Sequence, residues 1–388
     1  MRLSQSSRVG GAGLLALVAT YGIGRLAYGL FVPTFREEFG LSVDALGFAA
    51  SVAQTGYLAA IVATGALTAR FGARVPVVSG CLLLAVGAAL TALAPGPLLL
   101  VVGVTAAGTS AGGAWAPFSD AVASQVPSPE RRRALALVNA GSPAGLLIAS
   151  ALMLVAGDRW RAVWWGFAAL GLLAATASWR VLAPGTMDGG VDRGRTGMAW
   201  FLNARSARLY VVALGISVSS GAYFTYAPDT AQDAGLASWI GPAMWAILGA
   251  AGVSVGAFGG GISHRFGLRG PLAATLVLVG VSSVALLAAP GSTLAALGSA
   301  ALFGVGFTTA FALLVIWSQQ VFQDRPSTGF TMTLVFIAAG FIVGPSLFGV
   351  LAAHVGRSFA LLAAATPALL VALVPPARRD HLEPHDRW

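Results

Sequence analysis

The chain has 388 residues, 57% of them hydrophobic and only 10% charged, shares far from those of a soluble domain. That composition excludes a water-soluble globule and points to a polytopic membrane protein. The net charge of +9 does not argue for nucleic acid, because all 23 cations are arginines and most fall in short loops on one side, as membrane topology demands.

In chain order, apolar runs long enough to cross a bilayer as helices are predicted at 12–34, 43–69, 74–94, 97–124, 134–156 and 160–182. A second set follows at 207–228, 238–263, 270–289, 292–321, 328–353 and 357–375. The first run carries Tyr21, Arg25 and Tyr28 and is longer than a signal-peptide core, so it reads as a span and not a cleaved leader. The polar stretch 184–206 reads as a linker between residues 1–183 and residues 207–388, the latter ending in a short tail.

The two sets are copies. Gly65-Ala-Leu-Thr-Ala-Arg70-Phe-Gly72-Ala-Arg74 returns as Gly260-Gly-Ile-Ser-His264-Arg265-Phe-Gly267-Leu-Arg269, an offset of 265 − 70 = 195. The same offset pairs Tyr28 with Tyr223, Pro33 with Pro228, Gly40 with Gly235 and Pro95-Gly96 with Pro290-Gly291. A repeat of this length outranks any local motif as fold evidence. The expected fold is all-α, with twelve transmembrane helices in two pseudo-symmetric six-helix bundles.

Arginine placement sets the orientation. With the N-terminus inside, one face receives 18 arginines and the other only Arg36, Arg159, Arg161 and Arg357, while Arg25 lies within the membrane. Both termini are therefore expected in the cytoplasm, with the chain in the cytoplasmic membrane as a monomer.

Twelve spans in two copies, with a basic Gly-containing turn after the second span of each, resemble the major facilitator superfamily of secondary transporters. Gly65, Arg70, Gly72 and Arg74 match its signature turn, as do Gly260, Arg265, Gly267 and Arg269. The family's Asp is replaced by Ala69 and His264, so its usual charge latch is missing from this turn. The stretch Tyr21-Gly-Ile-Gly-Arg25-Leu-Ala-Tyr28-Gly29 with Pro33 is similar to the first span of a poorly characterised bacterial branch. The resemblance implies a central cavity lined by the first, fourth, seventh and tenth spans. Carried onto this chain, its wall includes Thr105, Thr109, Trp115, Tyr223, Phe224, Thr308 and Phe311, with Gln54 and Asn139 from flanking spans.

Arg25 is the sharpest single residue. It stands thirteen residues into the first predicted span, roughly 20 Å along a helix. An arginine at that depth costs about 2.5–3.5 kcal/mol, so it must face a cavity or a partner. Tyr21, Arg25 and Tyr28 share one helix face, a cationic and aromatic wall suited to an anionic or carbonyl-bearing solute. The alternative is a structural arginine bonded to helix carbonyls or to Asp120. That acid, near the end of the fourth span, is read as a gate partner of Arg70 or Arg74, with proton carriage as the competing role.

Gly340, Gly344, Pro345 and Gly349 have the spacing of close helix contact. Gly141-Ser-Pro143-Ala-Gly145 in the fifth span is a poor match to the motif of family exporters, so direction stays open. The four histidines lack metal-ligand spacing, and the Gly-rich stretches lack the context of a phosphate loop. No enzyme, cofactor or metal is expected. The partners expected are a small-molecule substrate and the bilayer, with protons one candidate for a coupling ion that the sequence leaves open. The competing class is a membrane receptor or assembly protein that binds a ligand without moving it.

Overall fold

The computed structural model describes residues 4–185, 198–258, 266–324, 326–374 and 376. Among these, the chain is built of helices joined by short turns. They are α1 (Gln5–Phe39), α2 (Val43–Phe71), α3 (Arg74–Leu93), α4 (Pro97–Gln125), α5 (Ser128–Ala156) and α6 (Trp160–Val181), then α7 (Ala204–Asp233), α8 (Ile240–Phe258), α9 (Arg269–Ala288), α10 (Thr293–Val321), α11 (Pro326–His354) and α12 (Arg357–Val371). A four-residue helix, Met198–Phe201, precedes α7.

Ten of these helices are long and apolar enough to cross a membrane, and α8 and α12 contribute shorter apolar stretches, Ile240–Val255 and Arg357–Val371. The predicted eighth span runs on into residues 259–263, outside the described residues, as does most of the predicted linker. Large apolar side chains such as Val155, Leu98 and Leu294 stand more than four-fifths exposed on the outer surface, where lipid takes the place of water.

The repeat shows in the backbone. Pro33 and Pro228 both sit inside their helices, and Gly40 and Gly235 both take positive φ, as do Gly72 (75°) and Gly267 (69°) at the two basic turns. A side chain in that region costs about 1–2 kcal/mol, which is why the turn pattern keeps its central glycine. Asn203 caps α7 through a reciprocal capping box with Ser206, and Ser292 caps α10 by accepting the Ala295 N–H.

Two helices depart from regular winding where they pass the centre. In α1 the stretch Val18–Arg25 is wound as a π-helix, followed by a break at Leu26 and Ala27. In α4 the stretch Ser110–Gly113 tightens to a 3-10 turn. Such irregularities gather at functional sites. Their repeat counterparts, α7 and α10, run as unbroken α-helices.

The two halves meet along α1 with α7, α2 with α11, and α5 with α8. At Gly29 the approach is so close that a Cβ would sit 1.7 Å from the carbonyl oxygen of Phe224. Gly340 and Gly344 play the part predicted for them, bringing α11 against Leu214 and Val218 of α7.

Candidate functional site

Arg25 lies near the middle of α1, 8% exposed, where the π-wound stretch ends. Its Nε donates to Gln54 Oε1 of α2 at 3.1 Å. The guanidinium lies over the rings of Tyr57 (4.1 Å) and Phe341 (4.7 Å), with Tyr21 at 5.6 Å. Its Nη2 is buried and has no hydrogen-bond partner. Among the described residues no carboxylate is paired with it. Ring faces attract a cation, and they use no N–H of the guanidinium, which leaves Nη2 unbonded. A buried charge held this way lacks a counter-ion.

Around Arg25 the first half supplies polar groups. Tyr21 and Tyr57 share a hydroxyl–hydroxyl hydrogen bond, Tyr21 meets Trp115 edge-on at 5.2 Å, and Trp115 Nε1 donates to Asn139 Oδ1 at 3.1 Å. The second half supplies rings. Phe341 and Phe224 line the cavity, backed by Phe307, which lies 5.0 Å from Phe224, and by Phe311 behind it. In this conformation the cavity among Arg25, Gln54, Gly29, Phe224 and Phe341 measures about 30 Å³, room for water but not for an organic solute.

Toward the end away from the termini, the cavity is closed in layers. Ser51 of α2 donates to the carbonyl of Ile342 and accepts from Ser346 of α11. Tyr226 of α7 donates to the Val43 carbonyl at 2.6 Å. Outermost stands an ion-pair cluster. Arg36 of α1 reaches Asp229 (3.1 Å) and Asp233 (2.8 Å) of α7, and Arg357 of α12 holds the same two carboxylates at 3.0 and 3.3 Å. Asp229 is buried. At the termini end, no ion pair joins the halves among the described residues.

A family model described as the Major Facilitator Superfamily matches residues 14–338. The chain belongs to that superfamily. It is accordingly a multi-pass membrane protein of a transporter family, not of an enzyme family. Solved superfamily structures share the fold at low identity. A bacterial homolog of the human lysosomal transporter Spinster, in an inward-facing and occupied conformation, is 14% identical with a TM-score of 0.72, each chain 98% covered. The nucleoside transporter NupG is 10% identical with a TM-score of 0.77, covering 95% of this chain and 98% of its own. A D-xylose–proton symporter is 16% identical with a TM-score of 0.71, over 96% and 98%. Among curated proteins none matches the sequence.

Within this superfamily member the predicted wall is only partly gathered. Tyr21, Arg25, Gln54, Trp115 and Asn139 form one cluster, and Phe224 lines the cavity from the other half with Phe311 behind its rings. Tyr28 borders the cavity but gives its hydroxyl to the Leu46 carbonyl at 3.0 Å. Thr105 and Thr109 turn toward α2, where Thr109 Oγ1 would clash with any side chain at Gly56. Tyr223 points into its own half, stacked on Phe303 at 3.9 Å and bonded to Ser299. Thr308 sits beside Gly252 of α8.

Of the predicted gating residues, Gly65 and Arg70 are exposed at the end of α2. Arg74 covers the ring of Trp179 at 3.6 Å, and Arg269 is half-buried beside Gly267 at the start of α9. Asp120 is exposed and forms no ion pair with Arg70 or Arg74 in this conformation. Gly260 and Arg265 lie outside the described residues.

Sequence reasoning missed Tyr57, Phe341 and the outer cluster. Tyr57 stands three residues from Gln54, one turn along the same face. Asp229 fell just beyond the predicted end of its span at 228, yet α7 runs on to Asp233. Two aspartates at i and i+4 on a helix otherwise free of acids were the available signal.

Proposed function

We propose that this transporter carries a small organic anion across the cytoplasmic membrane by alternating access, with Arg25 as the cation that receives it. The observation behind the reading is a buried, centrally placed guanidinium with an unpartnered Nη2 and no carboxylate paired with it among the described residues. Arg25, Gln54 and Tyr57 would orient the anion, the rings of Phe224 and Phe341 would pack it, and the two halves would rock about it.

The 18-to-4 arginine bias argues that the termini are cytoplasmic. The Arg36–Asp229–Asp233–Arg357 cluster would then be the latch that closes the outward side. The basic turns at Gly72 and Gly267 would bias the opposite closure. We further propose that the protein works as a monomer and that protons are the coupling ion, with Asp120, at the inner end of α4, as the carrier.

The test is counterflow into proteoliposomes, with and without an imposed pH gradient. Organic anions should exchange, and Arg25→Gln should lower apparent affinity about 10- to 100-fold, the loss of one charge-assisted hydrogen bond at about 1.5–3 kcal/mol. Binding without flux would instead favour a receptor. Unchanged exchange in Arg25→Gln would remove Arg25 from the site.

A further inference from the structure

The pocket has two unlike poles, and each belongs to a different half of the molecule. One pole is a single cation with its free Nη2, braced by Gln54 and Tyr57 of the first half. The other is a pair of phenyl rings from the second half, Phe224 and Phe341, the latter 4.7 Å from the guanidinium carbon. Among the described lining residues there is no second cation and no acid.

We infer that the ligand is a hydrophobic monocarboxylate, an acid whose one carboxylate meets Arg25 and whose aryl or branched body lies against Phe224 and Phe341 once the halves part and widen the cavity of about 30 Å³. The inference rests on the organic-anion reading above and narrows it. One guanidinium neutralises one carboxylate, and the Arg fork suits an acceptor that offers two oxygens, as a carboxylate does. A dianion would bring a second charge among aromatic rings without a partner, which burial penalises. A sugar-like solute would leave most of its hydroxyls facing rings. A neutral amide of the same shape would leave Arg25 uncompensated.

The arrangement also ties recognition to conformational change. The carboxylate is held by α1 and α2, and the body by α7 and α11. Only a molecule carrying both parts bonds the two halves to each other, so only such a molecule has different contacts in states that differ in how the halves meet.

The experiment uses the full-length protein in detergent, with binding measured by calorimetry. The probes are phenylacetate, its neutral amide phenylacetamide, the ring-bearing dianion homophthalate, and the ring-free monoanion acetate. Phenylacetate should bind at least about tenfold more tightly than each of the other three, a free-energy difference of about 1.4 kcal/mol. Arg25→Gln should erase the preference over phenylacetamide. Arg25→Lys, which keeps the charge but loses the fork, should retain part of it, and an unchanged melting temperature for this variant separates lost recognition from misfolding. Phe341→Ala should erase most of the preference over acetate.

If homophthalate or acetate binds as tightly as phenylacetate in an Arg25-dependent way, the monocarboxylate proposal falls and the organic-anion reading stands. If phenylacetamide binds best, or if Arg25→Gln changes nothing, both fall. No heat with phenylacetate at millimolar concentration also overturns the proposal.

Discussion

Replacing Arg36 by Ala should open the end of the molecule away from the termini. Arg36 makes three hydrogen bonds to two carboxylates of the opposite half, at 3.1, 3.2 and 2.8 Å. Fully buried, each such bond would be worth about 1.5–3 kcal/mol. The side chain is 34% exposed, which weakens the pair through solvent. Asp229 and Asp233 also keep Arg357 as a partner, so the variant leaves no orphaned buried charge. The net loss is then about 1–2 kcal/mol of closure, a shift of roughly 5- to 30-fold in the closed-to-open ratio. Spin labels on cysteines introduced at Pro95 and Ser238, exposed turn residues of the two halves at that end, would report it as a growing long-distance population. Arg357→Ala should open the protein far less, because Arg357 and both aspartates belong to the same half. An unchanged distance distribution in Arg36→Ala, or equal opening in the two variants, would refute the latch.

Three further outcomes are expected. Gly29→Ala places a methyl group 1.7 Å from the Phe224 carbonyl oxygen and should destabilise the closed state by about 1–3 kcal/mol, read with the same labels. Gly72→Ala, at φ 75° and ψ 179°, should cost about 1–3 kcal/mol and lower the melting temperature, whereas Gly270→Ala, with open space around its Cβ, should not. Cys81 is fully buried, so a maleimide should label it only after denaturation; labelling of the folded protein would show that α3 is packed differently.

The fold was legible because its strongest signals are one-dimensional. Length of apolar run, arginine placement and a repeat offset survive without any knowledge of which helix touches which. Arg25 was legible for the same reason, since a cation in the middle of an apolar run needs an explanation wherever it points. The rest of the site depends on rotation about helix axes, which a uniformly apolar helix hides. Tyr223 and Phe224 are adjacent in sequence, yet one serves the core of its half and the other lines the cavity. Thr105 and Thr109 look like cavity residues by position and are spent on packing against α2. The outer cluster depended on where α7 ends, and a span boundary drawn five residues early left both aspartates in a loop.

The irregular winding of α1 has a mechanical consequence. Below Arg25, Gly22 presses its backbone against Gly145 of its own half; above it, Gly29 is pinned to Phe224 of the other half. A single rod is thus riveted to both bodies that must swing apart. The strain of swinging has to be absorbed between the rivets, and the section there is the end of the π-wound coil and the break after it, where the regular helical ladder is interrupted. A cargo that grips Arg25, as proposed above, would sit on the elbow of the lever, where a small push from the molecule being carried acts directly on the joint.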